Sequence, residues 1–309
     1  MSSVSIVIAT YGREEVLVET LKALLAVEEA ADEILVVDET EHHEPPTADF
    51  LEKANDAGRI RWLKHTSPSG QVAKLNRGLA EAKSEIVLFL DDDVIPSQQL
   101  IQMHRQAYDQ YPEAWAVVGQ VIQPGEVAGG AANRSDNSTS FLRRDLDFQF
   151  NSNDPAWVEN VITCNLSVRR NRALDLHGFD MNFAPPVAFR AETDFAKRII
   201  AAGGRIRFEP DASLRHVRAN RGGTRSVGRH LASGSPVHGV GDYLYALKHG
   251  KGWDRIRYMA RRPFREVCTR FHLHHPWWIP VKFVGELRAI GMALQIVRQV
   301  KANGGAGDK

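Results

Sequence analysis

Apolar residues in this chain follow two rhythms: short unbroken runs, and longer stretches with a period near that of an α-helix. The runs at residues 4–9, 33–37, 60–64 and 86–90 are rich in Val, Ile, Leu and Phe and predict buried β-strands. Between them, residues 14–25 place Val16, Leu17, Thr20, Leu21, Leu24 and Leu25 on one helical face, and residues 50–57 and 72–82 also predict helices. Strands alternating with helices imply βαβ units, and so an α/β fold with a mostly parallel sheet flanked by helices. Further on, residues 100–111 predict a helix, 116–121 and 161–169 predict strands, and 192–202 predict a helix closed by Gly203-Gly204. Residues 206–209 and 213–216 predict two short strands. Residues 124–157 break the pattern, with Gly, Asn, Ser and Asp dominant and single aromatics at Phe141, Phe148 and Phe150. A loop of that length inside an ordered domain usually has a function.

The strand at 86–90 runs straight into Asp91-Asp92-Asp93. Carboxylates there lie at the carboxyl edge of the sheet, where open α/β folds bind ligands. Extended backbone sends Asp91 and Asp93 to one side and Asp92 to the other. Like charges so close call for a neutralising partner, and hard divalent cations take such oxygen ligands. A solvated acidic turn is the plain alternative. Asp38 also ends a predicted strand, so two acidic strand ends point to a nucleotide-type site along one edge.

Composition narrows the class. With 43% hydrophobic and 25% charged residues, the chain has the profile of a soluble globular protein with a sizeable core. Only Cys164 and Cys268 occur, too few for a disulfide framework and without metal spacing, so a reducing cytoplasm is expected. The N-terminus lacks the basic start of a signal peptide, and no apolar run approaches the roughly 20 residues of a membrane span. The net charge of +1 hides a division: residues 215–309 carry +13, and the rest of the chain −12. In the basic part, Tyr243, Tyr245, Trp253, Tyr258, Phe264, Phe271, Trp277 and Trp278 are interleaved with arginines. Residues 279–300 are amphipathic, with Val281, Val284, Leu287, Ile290, Leu294 and Val297 at helical spacing. That stripe is expected to pack on the body or on a second copy in a homodimer. The Arg/Trp cluster at 253–278 is expected to make peripheral contact with an anionic membrane.

In order and spacing, the motifs resemble the bacterial family 2 glycosyltransferases, which have the GT-A fold. The likeness rests on Val-Ser-Ile-Val-Ile-Ala-Thr-Tyr-Gly-Arg at 4–13, Ile-Leu-Val-Val-Asp at 34–38, Lys-Leu-Asn-Arg-Gly-Leu at 74–79 and Phe-Leu-Asp-Asp-Asp at 89–93. It continues with Gly-Phe-Asp at 178–180, Glu-Thr-Asp-Phe-Ala-Lys-Arg at 192–198 and His216. The resemblance implies a GT-A catalytic domain over 1–216 and a helical, basic and aromatic C-terminal region over 217–309. It also implies a hexosyltransferase-type enzyme, metal-dependent and inverting, that moves a sugar from a nucleoside diphosphate sugar to an acceptor hydroxyl, in polysaccharide or glycoconjugate synthesis.

Residue by residue, the resemblance puts Thr10, Tyr11 and Arg13 where the family holds base and ribose, and makes Asp38 the base-reading carboxylate. A helix cap or turn Asp is the alternative for Asp38. Lys74 and Asn76 lie in the motif that bears nucleotide donors, although Leu75 stands where many members have Arg. Asp91 and Asp93 match the DXD motif, with Asp93 the direct ligand of Mn²⁺ or Mg²⁺ and Asp91, with Asp92, nearer the nucleotide. His216 matches a position that in some relatives helps bind the metal. Glu192 aligns with the acceptor-activating base and Asp194 is second choice; two residues apart on a helix, they do not share a face. Arg218, Arg221 and Arg225 around Gly222-Gly223 are candidates for closing on the diphosphate. The implied donor is UDP-linked in preference to GDP-linked, and the acceptor a sugar or lipid-linked sugar. The implied location is cytoplasmic, at the inner face of the membrane.

Other classes fit less well. A nucleotidyltransferase needs a Gly-rich basic loop after the first strand, where Thr10-Tyr11-Gly12-Arg13 stands. A dinucleotide oxidoreductase needs Gly-X-Gly-X-X-Gly there, and it is absent. A non-catalytic nucleotide-sugar-binding protein remains as an alternative. Nucleic-acid binding is disfavoured because the site lies in the acidic part of the chain.

Overall fold

The structure, a computed structural model, describes residues 2–64, 69–129, 149–187, 189–219 and 230–304. Its first half is a parallel run of β1 (Val4–Thr10), β2 (Glu33–Asp38), β3 (Arg61–Lys64) and β4 (Ile86–Leu90), connected through α1 (Glu15–Leu24), α2 (Pro45–Asp56) and α3 (Gly70–Glu81). Then come β5 (Val94–Pro96), α4 (Leu100–Gln110), β6 (Ala114–Ile122), β7 (Ala156–Val158), β8 (Asn165–Arg169), α5 (Arg170–Asp175), α6 (Ala191–Ala201) and β9 (Arg205–His216). All nine strands form one sheet in the order β3-β2-β1-β4-β8-β6-β9-β5, with β7 paired to β9.

The sheet is mixed beyond β4, and this sets the site. Strand β8 runs antiparallel to both β4 and β6, while β6 and β9 are parallel. Strands β1, β2, β4, β6 and β9 therefore point the same way. Their ends, at Thr10, Asp38, Leu90, Ile122 and His216, share one edge. Short β5 folds back antiparallel on β9, with Val94 opposite His216.

Three boundaries differ from the sequence pattern for physical reasons. Helix α2 begins at Pro45, because prolines at the first helical positions give up no hydrogen bond. Strand β9 is continuous where two strands were predicted. Its register against β6 shifts between Gly119–Glu209 and Gln120–Ser213, so Pro210–Ala212 bulge out without ending the strand. Strand β5 is three residues long, too short to show a period.

Alternation along the strands gives the sheet two buried faces. Ile6, Ile8, Val36 and Leu88 pack with α1, α2 and α4, whereas Val7, Leu35, Val37 and Phe89 pack with α3 and α6. Helix α3 lies close on β1 because Gly78 has no side chain: a Cβ there would stand 2.2 Å from Val7 Cγ1. Gly78→Ala is expected to destabilise the protein by roughly 1–3 kcal/mol through overpacking, read as a lower urea midpoint at unchanged slope.

The basic C-terminal region forms α7 (Val237–His249), α8 (Gly252–Val267), α9 (Arg270–His274) and α10 (Trp278–Gly304). Tyr243, Tyr245 and Leu244 of α7 join the same apolar cluster as Phe179 and Phe195, so the core continues across the compositional boundary at 216. Gly241 allows the approach, since a Cβ would meet the Phe189 carbonyl oxygen at 2.2 Å. Arg262 of α8 is buried, with Asp242 of α7 on one side, Glu286 of α10 on the other, and the His238 carbonyl. On α10 only part of the expected stripe packs. Ile290 and Val297 meet the core, while Val281, Val284, Leu287 and Leu294 are exposed. The buried face is turned toward Lys282, Glu286, Ala289 and Ala293, where the ion pair with Arg262 fixes the helix. Among the described residues, no helix is long and apolar enough to cross a membrane.

Candidate active site

The loop after β4 puts Asp91 and Asp93 on one side and Asp92 on the other. Asp92 is buried and turned inward, accepting from Thr10 Oγ1 at 2.7 Å and Arg13 Nε at 3.1 Å. Thr20 Oγ1 donates to the main-chain carbonyls of Asp92 and Val94, so α1 holds the turn from behind. Asp93 splits its carboxylate. Oδ2 accepts from the Ala219 amide at 2.8 Å and Arg13 at 3.3 Å, and Oδ1 faces His216 Nε2 at 2.9 Å. Asp91, the most exposed of the three, has Oδ2 3.6 Å from the same nitrogen. Asp91, Asp93 and His216 thus each offer one ligand atom, all within 4.8 Å of one another.

His216 is positioned for a cation. Its Nδ1–H donates to Gln123 Oε1 at 3.0 Å, just beyond the end of β6, which leaves the Nε2 lone pair between two carboxylates. Burial opposes a charged ring, but Asp93 and Asp91 outweigh it and raise the His216 pKa. A proton or a metal ion can serve there, and a metal replaces the proton. Two carboxylates and an imidazole could hold a divalent cation: the carboxylates suit Mn²⁺ or Mg²⁺, and the imidazole suits Mn²⁺ better than the harder Mg²⁺. The surrounding charge agrees: burial, reinforced by Asp92, Asp93 and Glu192 against His216, pushes the Asp91 pKa up. Burial also lifts Asp92, to about 6, despite Arg13 and Thr10.

Glu192 and Asp194, both in the first turn of α6, have opposite environments. Asp194 is completely buried and held by Arg198 Nε at 2.8 Å, Lys248 Nζ at 2.7 Å and His249 Nε2 at 2.8 Å. Burial works against its charge, yet these donors bring its pKa down to about 2. Glu192 has no side-chain partner among the described residues, and burial raises its pKa. It is near enough for its charge to act on Asp91.

The expected nucleotide residues divide. Tyr11 is 47% exposed on the loop after β1. Asp38 is buried. Its Oδ2 accepts from His43 at 2.6 Å and Trp62 Nε1 at 2.9 Å, and its Oδ1 from the Thr40 amide at 2.8 Å. The Thr40 side chain adds a further hydrogen bond, so the Asp38 carboxylate is held from His43, Trp62 and both groups of Thr40. Lys74 is buried against Glu39 at 2.8 Å, and Glu39 also accepts from the Ser69 and Gly70 amides. Both ends of the Asn76 amide are taken by the Phe179 main chain, so Asn76 pins the Gly178-Phe179 turn. Arg218 is exposed beside the cluster with φ of 58°, and its charge reaches His216. Arg221 and Arg225 lie outside the described residues, as do Phe141 and Phe148.

His43, Trp62, Glu39, Gln123, Lys248 and His249 complete these networks and were not singled out from sequence. Glu39 and Gln123 had a signal, each standing one residue beyond a strand end.

Residues 5–174 match the family model "Glycosyl transferase family 2". A curated relative, "Probable glycosyltransferase YdaM" of Bacillus subtilis (strain 168), is 23% identical over 223 residues, covering 69% of this chain and 50% of the relative. The chain thus spans about half the length of that relative. Among solved structures, the mannosyltransferase PcManGT from Pyrobaculum calidifontis, in complex with GDP-Man and Mn2+, is similar with a TM-score of 0.56 at 18% identity, over 97% of this chain and 80% of that one. Residues 1–349 of S. aureus TarS, in complex with UDP-GlcNAc, are similar with a TM-score of 0.63 at 15% identity, over 96% of this chain and 81% of that one. At these identities the likeness is one of fold.

Proposed function

The chain belongs to glycosyl transferase family 2 and has the GT-A fold, and on that premise we propose that it transfers a sugar from a nucleoside diphosphate sugar to an acceptor hydroxyl, in one displacement with inversion at the anomeric carbon. The observation that carries this reading is the Asp91–Asp93–His216 cluster at the strand ends. Mn²⁺ or Mg²⁺ held there would neutralise the charge that develops on the leaving diphosphate. Arg13 and Ala219 hold Asp93, and Gln123 holds His216, so the ligand atoms are set before substrate arrives. Arg218, beside the cluster, would add a positive charge toward the diphosphate. Glu192 would accept the proton of the acceptor hydroxyl as general base, while Asp194 keeps α6 in place. Tyr11 would flank the base, and Asp38 would accept from it. The Asp38 carboxylate could accept from the ring N–H of uracil or of guanine, and UDP is the donor nucleotide proposed. The acceptor is a sugar or a lipid-linked sugar, the latter at the cytoplasmic face of a membrane.

Purified protein incubated with a panel of nucleotide sugars and Mn²⁺ tests this. Release of UDP from one UDP-sugar, stopped by a chelator and raised by an acceptor, is expected. No release from any nucleotide sugar with either metal would contradict it. Because Gln123 orients a proposed ligand, Gln123→Ala is expected to weaken Mn²⁺ affinity roughly 10–100-fold, measured as the Mn²⁺ concentration for half-maximal rate.

A further inference from the structure

Helix α8 shows a pattern that the sugar-transfer reading does not use. Its inner face carries Tyr258 and Arg262, which are buried against α7 and α10. Its outer face carries Trp253, Ile256 and Phe264, which are 75%, 51% and 64% exposed. With Ala260, these fall within one narrow stripe of the helix, and Arg257, Arg261 and Arg265 form the adjacent stripe at intervals of four. Arg257 and Arg261 make no ion pair among the described residues. Leu273 of α9 and Trp277 just after it are also among the most exposed apolar residues, at 79% and 62%, and follow exposed Arg270.

We infer that the outer face of α8, with Leu273 and Trp277, docks on an anionic lipid bilayer. An apolar stripe bordered by arginines is the arrangement of a helix lying in the membrane interface, its apolar side among the acyl chains and its cations at the headgroups. Tryptophan favours that boundary because its ring is amphipathic. Charge selects the occupant: residues 215–309 carry +13, so a second copy meeting the same face would set arginine against arginine. An anionic lipid surface offers the complementary sign. Since α7 ties α8 to the core beside α6, docking would hold the strand-end site at a fixed relation to the bilayer.

Vesicle co-sedimentation without nucleotide tests this independently of catalysis. Recovery with phosphatidylglycerol-containing vesicles, far above that with phosphatidylcholine alone and falling as salt rises, is expected. Arg257→Ala with Arg261→Ala should weaken anionic-vesicle binding roughly 25-fold, at about fivefold per cation. Trp253→Ala with Phe264→Ala should weaken it by about tenfold or more. All four side chains are exposed, so thermal melting should not move. Equal recovery on neutral and anionic vesicles, or recovery insensitive to salt, would overturn the inference. So would a concentration-dependent dimer, dissolved by Phe264→Ala, in a protein that no vesicle recovers.

Discussion

Glu192→Gln is expected to lower sugar transfer roughly 10²–10⁴-fold, the usual contribution of a general base, while nucleoside diphosphate binding stays unchanged. The amide keeps the shape of the side chain and removes only the capacity to accept a proton. A group that acts on the acceptor in the transition state does not add to donor affinity. Burial raises the Glu192 pKa above the ordinary 4.5, so wild-type turnover should fall as pH drops through that raised value, earlier than an exposed carboxylate would dictate. The sign for stability is opposite to that of a paired carboxylate. A carboxyl that binds its proton more tightly folded than unfolded costs stability as pH rises from the unfolded to the folded pKa and above. Gln removes that cost, so the variant should melt at or above the wild-type temperature at pH 7. If Glu192→Gln turns over normally and folded Asp194→Asn does not, the roles are reversed.

Asp194→Ala is expected to cost roughly 1.5–3 kcal/mol of folding stability, because it removes a completely buried carboxylate that holds half-buried Arg198 and His249 and exposed Lys248 by charge-assisted hydrogen bonds. Arg198 and Lys248 reach this carboxylate from two different elements, and His249 joins them. Lys248 also binds Asp180 at 2.5 Å, so the 178–180 turn, α6 and α7 meet at one ionic junction. Burial opposes the charge, but the junction holds the folded pKa at about 2 against an ordinary 3.8. A depressed carboxylate contributes stability that is fully present above its unfolded pKa and is lost as pH falls through the folded one. The gap between wild type and variant in urea unfolding should therefore be widest above about pH 4 and close toward pH 2. A variant within about 0.5 kcal/mol of wild type at neutral pH would mean that solvent already screens the junction.

The acidic strand end was legible in sequence because two local rules converged on it. An unbroken apolar run marks a buried strand, and alternation then separates Asp91 and Asp93 from Asp92. His216 entered through the family resemblance, since a histidine at a strand end is not by itself a ligand signal. The partners were hidden because they come from distant segments. Nothing in the spacing of Gln123 and His216, or of Asp194 and His249, shows that they meet, since sheet order and helix docking decide it. Lys74 and Asn76 lie in a motif with two uses, and only the three-dimensional contacts show Glu39 and Phe179 on them. Residues 210–212 looked like a break because Pro ends most strands, whereas here they bulge from a continuous β9. The α10 stripe was only half legible, because Arg262 and Glu286 rotate the buried face away from the most apolar one.

Titration calorimetry of UDP and GDP into the protein, with Mn²⁺ and with a chelator, addresses the strand-end cluster most directly. UDP should bind with Mn²⁺, lose most of its affinity under the chelator, and lose the Mn²⁺ effect in Asp93→Asn. UDP affinity that is equal with and without metal, or that survives Asp93→Asn unchanged, would contradict a metal-bridged diphosphate held by Asp91, Asp93 and His216.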